Sequence, residues 1–505
     1  MDRRTFLELL CAAGALPFLP TSESAAAPVA AGRGPLGLNL ASLVYWSTER
    51  PFSNLAVGAS RWRMQTRGAA FTWDEPLPPM RADGYPTVVP RGSFLESFLV
   101  WNRREQLPGE LLVMYDGKGR LDYQGGARLE ARTPGCDRVR NLRNDAAIIA
   151  QLVDTDAKDP LRNLRVYEHE PDGTFRKAFL DRLGGMTTLR FMDWMSTNNS
   201  PKRHWDDRPR LDVFGKAETG APLEYMVELC NLLQLRPWFN MPHLADDAYV
   251  RRFAEGVRDT LAPSLPVYVE YSNEVWNSLF DQASYAREQG LKLGLSSNDY
   301  EAQLLYYARR TTEILSIWEE VFGKDRDRVI GVYAAHSANI WTSTTILSSE
   351  GVGDHADVLA IAPYFGAGLG SPERAEAVSG WSTDMVFEAL SGEVAGENRS
   401  LIRAQADVAR QHGLKLVAYE GGQHLVGHGG AENNDKLTAL FIAANRDPRM
   451  GALYVDHLRN WWEAGGDVYA LFSSMSEPSK WGSWGLQEYE GDAHAKWEAV
   501  RSFLR

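Results

Sequence analysis

The stretch VYVEYSNEVWN, residues 267–277, sets Glu270, Asn273 and Glu274 into a run whose Val267, Tyr268, Val269 and Tyr271 suit a half-buried strand. A buried carboxylate without partners is costly, so acids on a strand demand both partners and a use. A second acid of this kind is Glu420 in KLVAYEGG, residues 415–422. Two carboxyls facing one cleft can divide a reaction between them. One donates a proton to a leaving oxygen while the other attacks or activates water, provided their surroundings keep one protonated and the other ionised. Cleavage of a glycosidic bond requires such a pair. Arg190 in TTLRF is the cation placed to hold one acid ionised.

These residues need a scaffold that brings strand ends together. The apolar runs at 37–46, 187–194, 236–243, 267–274, 328–336, 357–365, 415–422 and 467–474 read as strands, and amphipathic stretches such as APLEYMVELCNLLQ and RSLIRAQADVARQHG lie between them. Eight β-α units close most simply into a (β/α)8 barrel of the α/β class. A doubly wound open sheet is the competitor, but no G-x-G-x-x-G follows a strand. In a barrel the reactive side chains stand at the C-terminal strand ends. Read in order, those ends are Trp194, His243, Glu274, His336, Tyr364, Glu420 and the FSSMS run. Residues 84–157 break the rhythm with short alternating segments and DGKG and QGG turns. They predict a small antiparallel β-module inserted in a barrel formed by 32–83 and 158–505.

With these motifs on the page, the chain resembles the retaining (β/α)8 glycoside hydrolases of clan A, the cellulase-like members of family five in particular. That superfamily carries E-x-x-N-E on its fourth strand, matched by Glu270-Tyr271-Ser272-Asn273-Glu274, and an acid closing its seventh, matched by Tyr419-Glu420-Gly421-Gly422. The resemblance implies Glu274 as general acid/base and Glu420 as nucleophile. It further implies that Asn273 holds a sugar hydroxyl, that Arg190 and Tyr364 orient Glu420, and that Glu270 is an interior structural carboxylate. No cofactor is called for. Three positions depart from the pattern: Val275 replaces the proline that commonly follows N-E, Ala362 replaces a histidine before the sixth-strand tyrosine, and LFSSMS lacks the tryptophan closing strand eight. Trp481 or Trp484 in SKWGSWGL is the expected replacement. The sugar, the linkage and the choice between hydrolysis and transglycosylation stay open, as does a non-catalytic barrel that binds polysaccharide.

Composition narrows the partners. A net charge of −12 with acids and bases intermixed excludes a basic stripe for nucleic acid or an anionic membrane. Among 16 tryptophans, Trp46, Trp73, Trp205, Trp276, Trp481 and Trp484 sit in polar contexts, where an indole face can stack on the apolar face of a pyranose. Trp46, Trp276, Trp481 and Trp484, with His243 and His336, complete the expected substrate contacts. His424 and His428 in HLVGH have metal-ligand spacing, but glycines interrupt the helix such a site needs, and no metal is expected. A metallohydrolase would have to recruit His243, Asp246 and His336. At the N-terminus, Arg3-Arg4-Thr5-Phe6-Leu7, a modest apolar stretch and ESAAAPVAAG resemble a twin-arginine export signal over residues 1–31, implying a periplasmic or secreted protein. Beyond it only Cys136 and Cys230 remain, enough for one disulfide. Oligomeric state is not legible.

Overall fold

The computed structural model describes residues 34–504 except 103, 105, 106, 144, 171, 172 and 216–218; the export signal read in residues 1–31 lies outside the described residues. Strand β1 (Leu36–Asn39) is followed by eight strands outside the barrel: β2 (Arg63–Thr66), β3 (Ser93–Asn102), β4 (Glu110–Asp116), β5 (Gly119–Gly125), β6 (Ala127–Thr133), β7 (Cys136–Asn141), β8 (Ala146–Thr155) and β9 (Arg162–Tyr167). The chain then returns through β10 (Thr188–Arg190), β11 (Arg236–Met241), β12 (Val267–Tyr271), β13 (Val329–Ala334), β14 (Val358–Ile361), β15 (Lys415–Ala418) and β16 (Tyr469–Leu471). Strands β1 and β10 to β16 form a closed parallel barrel, β16 pairing back onto β1. The expected (β/α)8 fold is present.

Each position of β1, β12 and β14 is buried, as parallel strands require when helices cover one face and barrel side chains the other. Two of the longer helices start on side-chain caps: Asp246 accepts from the Tyr249 amide before Asp247–Thr260, and Asn298 from the Glu301 amide before Asp299–Phe322. Residues 435–463 form two helices rather than one, Asp435–Arg446 and Arg449–Glu463. Pro448 cannot donate its backbone amide to continue the ladder.

The β-module is a pair of four-stranded antiparallel sheets, ordered β2-β3-β8-β5 and β6-β7-β4-β9. They share an apolar core of their own, built on Leu95, Leu99, Leu111, Val113, Leu121, Val139, Ile148 and Leu152. Its strands extend beyond the expected 84–157 at both ends, from Arg63 to Tyr167. The additions, β2 and β9, are sheet edges. Their mixed sequences RMQT and RNLRVY lack the apolar run that marks a central strand, and charge on an edge blunts pairing with other chains. Cys136 and Cys230 are both free thiols, so the disulfide considered above does not form. Among the described residues no helix is long and apolar enough to cross a membrane.

Candidate active site

Arg190, at the end of β10, is the hub of the barrel mouth. Its side chain is fully buried. Nε and Nη2 donate to both oxygens of Glu270 at 2.9–3.0 Å, Nη1 donates to Glu420 Oε1 at 3.0 Å and to Asn39 Oδ1 at 3.2 Å, and Nη2 also reaches Asn273 Oδ1 at 2.8 Å. The Tyr419 and Trp238 rings flank the guanidinium, 5.0 and 5.6 Å from its carbon, positions in which a desolvated cation gains from an aromatic face. The planar fork of arginine meets two carboxylates at once; a lysine could not.

Glu270 is wholly inside the barrel. Besides Arg190 it accepts from Trp238 Nε1 at 2.8 Å and Asn240 Nδ2 at 2.7 Å. Glu274 differs. Strand β12 ends at Tyr271 rather than at residue 274, because Ser272 and Glu274 adopt left-handed backbones with φ of +60° and +44°. A residue other than glycine holds that conformation at a cost and only where its surroundings impose it. The turn lifts Glu274 out of the strand, where Tyr419 Oη donates to its Oε1 at 3.0 Å and Asn277 Nδ2 to its Oε2 at 2.9 Å.

Glu420 lies two residues past β15 and is nearly buried. Arg190 and Tyr364 hold its two oxygens, Tyr364 Oη donating to Oε2 at 3.0 Å. Gly421 and Gly422 follow because two tyrosines press on the backbone there. A Cβ on Gly421 would stand 2.0 Å from Tyr469 Oη, and one on Gly422, at φ +136°, 2.6 Å from Tyr454 Oη.

Burial raises both candidate acids. For Glu274 the Asn277 and Tyr419 hydrogen bonds oppose the rise. For Glu420 the Arg190 guanidinium opposes it, while the charge on Glu274 adds to it. A charge on Glu274 makes a second charge on Glu420 costlier, so one proton is retained across the pair. Of the two, only Glu420 sits 3.0 Å from a guanidinium, so a negative charge is better compensated there than on Glu274.

The other expected residues divide. Asn273 joins the network, accepting from Arg190 and donating through Nδ2 to Asn198 Oδ1 at 3.0 Å. Trp276 donates from Nε1 to Tyr419 Oη at 3.3 Å and stacks on His336, ring centroids 4.3 Å apart. Trp484 packs edge-on against Tyr364 at 5.8 Å and against His424 at 5.0 Å, and its Nε1 donates to the Trp481 carbonyl. Trp484 thus packs against Tyr364, the residue that donates to Glu420, and Trp481 lies under the Lys480 ammonium. His243 is buried against Tyr285, and its Nδ1 has no hydrogen-bond partner among the described residues. Trp46 stands apart, exposed beside Tyr45. Burial drives His243, His336 and His424 down to about 4, so all three are neutral near pH 7. Among the described residues, no group of three or more His, Cys, Asp or Glu side chains is arranged to hold a metal.

The sequence alone gives Tyr419, Asn198 and Asn277 no role here, and it weighs His424 only as a metal ligand. Of the first three, only Tyr419 has a signal, its place beside Glu420. Neighbours in a strand point to opposite faces, but β15 has ended at Ala418, so both side chains turn to the mouth.

No family model matches this chain, and no curated protein does. Solved structures show a distant likeness. A GH5-4 broad-specificity endoglucanase from Clostridium acetobutylicum is 10% identical at a TM-score of 0.40, with 66% of this chain and 91% of that chain covered. The GH53 catalytic domain of Ignisphaera aggregans is 11% identical at 0.35, covering 65% and 88%. A modular endo-β-1,4-mannanase from Cellulomonas fimi, of glycoside hydrolase family 26, is 12% identical at 0.33, covering 65% and 72%. Likeness at that level decides nothing about activity, and the case for function rests on the side chains.

Proposed function

We propose that this chain is a retaining β-glycoside hydrolase acting on a poly- or oligosaccharide by double displacement. The observation that carries the reading is the unequal treatment of two carboxyls at one barrel mouth. Glu420 is held by a guanidinium and a phenol, Glu274 by neutral donors alone. That asymmetry is what an ionised nucleophile and a protonated acid require.

In the first step Glu420 attacks the anomeric carbon as Glu274 gives its proton to the glycosidic oxygen; the C–O bond breaks and an ester to Glu420 forms. Glu274, now a carboxylate, takes a proton from water, whose oxygen attacks the same carbon and returns Glu420 as a carboxylate. Arg190 and Tyr364 position Glu420 throughout. Asn273, fixed by Arg190 and Asn198, would present its amide to the hydroxyl beside the reacting carbon, while Trp276, His336 and Trp484 offer apolar walls to the sugar. His243, Trp46 and Trp481 stay candidate contacts for more distant sugar units.

The test is a polysaccharide panel read by reducing ends and product mass, with wild type beside Glu274→Gln and Glu420→Gln. Sugar release by wild type, lost in both variants, supports the mechanism and names the substrate. Product anomers followed by NMR give the stereochemistry, and a first-formed product of inverted configuration would overturn the ester intermediate. Binding without cleavage by wild type would make the barrel a polysaccharide-binding scaffold. Coupled products longer than the substrate would make it a transglycosylase.

A further inference from the structure

An aromatic cluster spans the β-module and the segment that follows β1, away from the reacting carboxyls. Phe98 of β3 is half-buried, and Tyr45 stacks on it at 4.9 Å with an interplanar angle of 25°. Trp73 stacks on the same ring at 5.9 Å and 20°. Phe71 meets Trp73 edge-on at 4.8 Å, Trp46 meets Tyr45 edge-on at 4.7 Å, and the Arg63 guanidinium lies 4.6 Å over Trp73. Despite this mutual packing Trp46, Phe71 and Trp73 remain 41%, 49% and 50% exposed.

The exposure is built in. Gln65, itself buried, clamps Thr72 between the two outer rings: Gln65 Nε2 donates to the Thr72 carbonyl at 2.6 Å, and the Thr72 amide donates to Gln65 Oε1 at 3.2 Å. Thr66 Oγ1 ties the next part of the loop to Glu75 at 2.6 Å. A loop fixed so that it presents two large rings forgoes the stabilisation that their full burial would bring. Exposed aromatic rings grouped in one pinned patch mark a binding surface rather than scattered surface residues.

The cluster is continuous with the barrel mouth. Trp46 and Tyr45 lie in the segment leaving the C-terminal end of β1, and the Tyr45 carbonyl accepts from the Trp101 amide of β3 at 2.6 Å. On the other side Arg104 donates from Nε to Glu477 at 3.0 Å. Glu477 belongs to the segment after β16 that also carries Trp481 and Trp484, the latter in contact with Tyr364. The module is thus fastened to the loops that follow β1 and β16, adjacent strands of the barrel.

From this we infer that Trp46, Phe71 and Trp73 form a platform for a β-linked polysaccharide, outside the reacting site and leading into it. The choice of a glycan as occupant rests on the glycoside hydrolase reading of the mouth. Flat β-linked pyranoses expose apolar C–H faces that stack on indole and phenyl rings, while their hydroxyls remain in water. The platform makes a polymer, rather than a short oligosaccharide, the substrate class.

The test is affinity electrophoresis of the full chain in native gels cast with hydroxyethyl cellulose, xylan or galactomannan, on a Glu420→Gln background so that the gel matrix survives. One of these polysaccharides retards Glu420→Gln, and adding Phe71→Ala with Trp73→Ala weakens that retention about tenfold. Trp73→Tyr, which keeps a ring, retains most of it and controls for folding. Leu77→Ala, an exposed apolar side chain outside the cluster, leaves it unchanged. Equal retention with and without Phe71 and Trp73 overturns the platform, as does no retention in any gel. So does a patch whose removal only converts a dimer to a monomer in sedimentation, since a second copy would then be its occupant. Cleavage by wild type is scored separately. Retention lost with the rings in a protein that cleaves nothing would leave the platform standing and the mechanism fallen; cleavage with unaltered retention would do the reverse.

Discussion

Glu270 and Glu274 stand four positions apart in one short stretch, yet the fold treats them as different chemical objects. Glu270 stays in the strand, has no exposure, and accepts from Arg190, Trp238 and Asn240. Glu274 is turned out of the strand by a left-handed backbone and receives only Asn277 and Tyr419. A carboxylate saturated with donors is fixed in one protonation state and one place, which suits structure. A carboxyl held by two neutral donors keeps a proton it can give away, which suits chemistry. Glu420 shares Arg190 with Glu270 but adds only Tyr364. On the proposed mechanism, the degree of satisfaction separates scaffold from reactant within one network.

The largest effects should therefore fall on activity at two positions and on stability at the third. Glu274→Gln and Glu420→Gln each lower kcat/KM by roughly 10³- to 10⁴-fold, as loss of an acid/base or nucleophile does, with little change in thermal stability. Both sites carry raised carboxyls, so their neutral replacements remove a cost that grows with pH. A folded-state pKa above the unfolded value means that the folded form binds more protons, so wild-type stability falls as pH rises upward from about 4.5 through the folded value. Thermal melts at pH 5 and pH 8 should show the Glu420→Gln variant gaining on wild type at the higher pH. Glu270→Gln differs even though burial raises Glu270 as well. It leaves Arg190 without one of its two carboxylate partners in a fully buried site, and we expect a loss of about 3 kcal/mol in stability by denaturant unfolding. If Glu270→Gln melts like wild type and loses activity as Glu274→Gln does, the division between the two acids is wrong.

The two acids and their arginine were legible in the sequence because strand ends of a (β/α)8 barrel can be counted, and the E-x-x-N-E run and Glu420 fall at the fourth and seventh. What could not be counted was side-chain direction beyond the strands. Strand β12 ends at Tyr271 and β15 at Ala418, so the positions that matter most, 272–274 and 419–420, lie where the period of two no longer applies. That is why Tyr419 was passed over although it adjoins Glu420, and why His243, a strand-end residue by the same count, is packed against Tyr285 instead. The module was found from its turns but drawn too small, because its edge strands β2 and β9 lack apolar runs. Its aromatic cluster was read only as separate tryptophans, since the Gln65 clamp that unites them depends on geometry.

A smaller effect distinguishes the two tyrosines. Each donates a hydrogen bond to the ionised form of one acid, and that bond lowers the pKa of its partner. Tyr364→Phe should raise Glu420, which must be ionised to react, and move the acid limb of the kcat/KM profile up by about one pH unit. Tyr419→Phe should raise Glu274, which must be protonated, and move the basic limb up by a similar amount. The same substitution thus narrows the profile at one site and widens it at the other. Limbs exchanged between the two variants would mean that the roles of Glu274 and Glu420 are reversed.

The smallest expected effect comes from Trp276. Its indole N–H donates to the Tyr419 oxygen, which makes the phenol a better donor to Glu274, since linked hydrogen bonds strengthen one another by about 10–30% each. Trp276→Phe keeps a ring against His336 but ends that donation. The basic limb should move in the same direction as in Tyr419→Phe but by only about a third as far, with KM rising where the indole also touches sugar. In the double variant with Tyr419→Phe the basic limb should stay where Tyr419→Phe alone puts it, because Trp276 acts on Glu274 only through the phenol. A further move of the limb in the double variant would show the indole reaching Glu274 by a second route, and the relay would have to be redrawn.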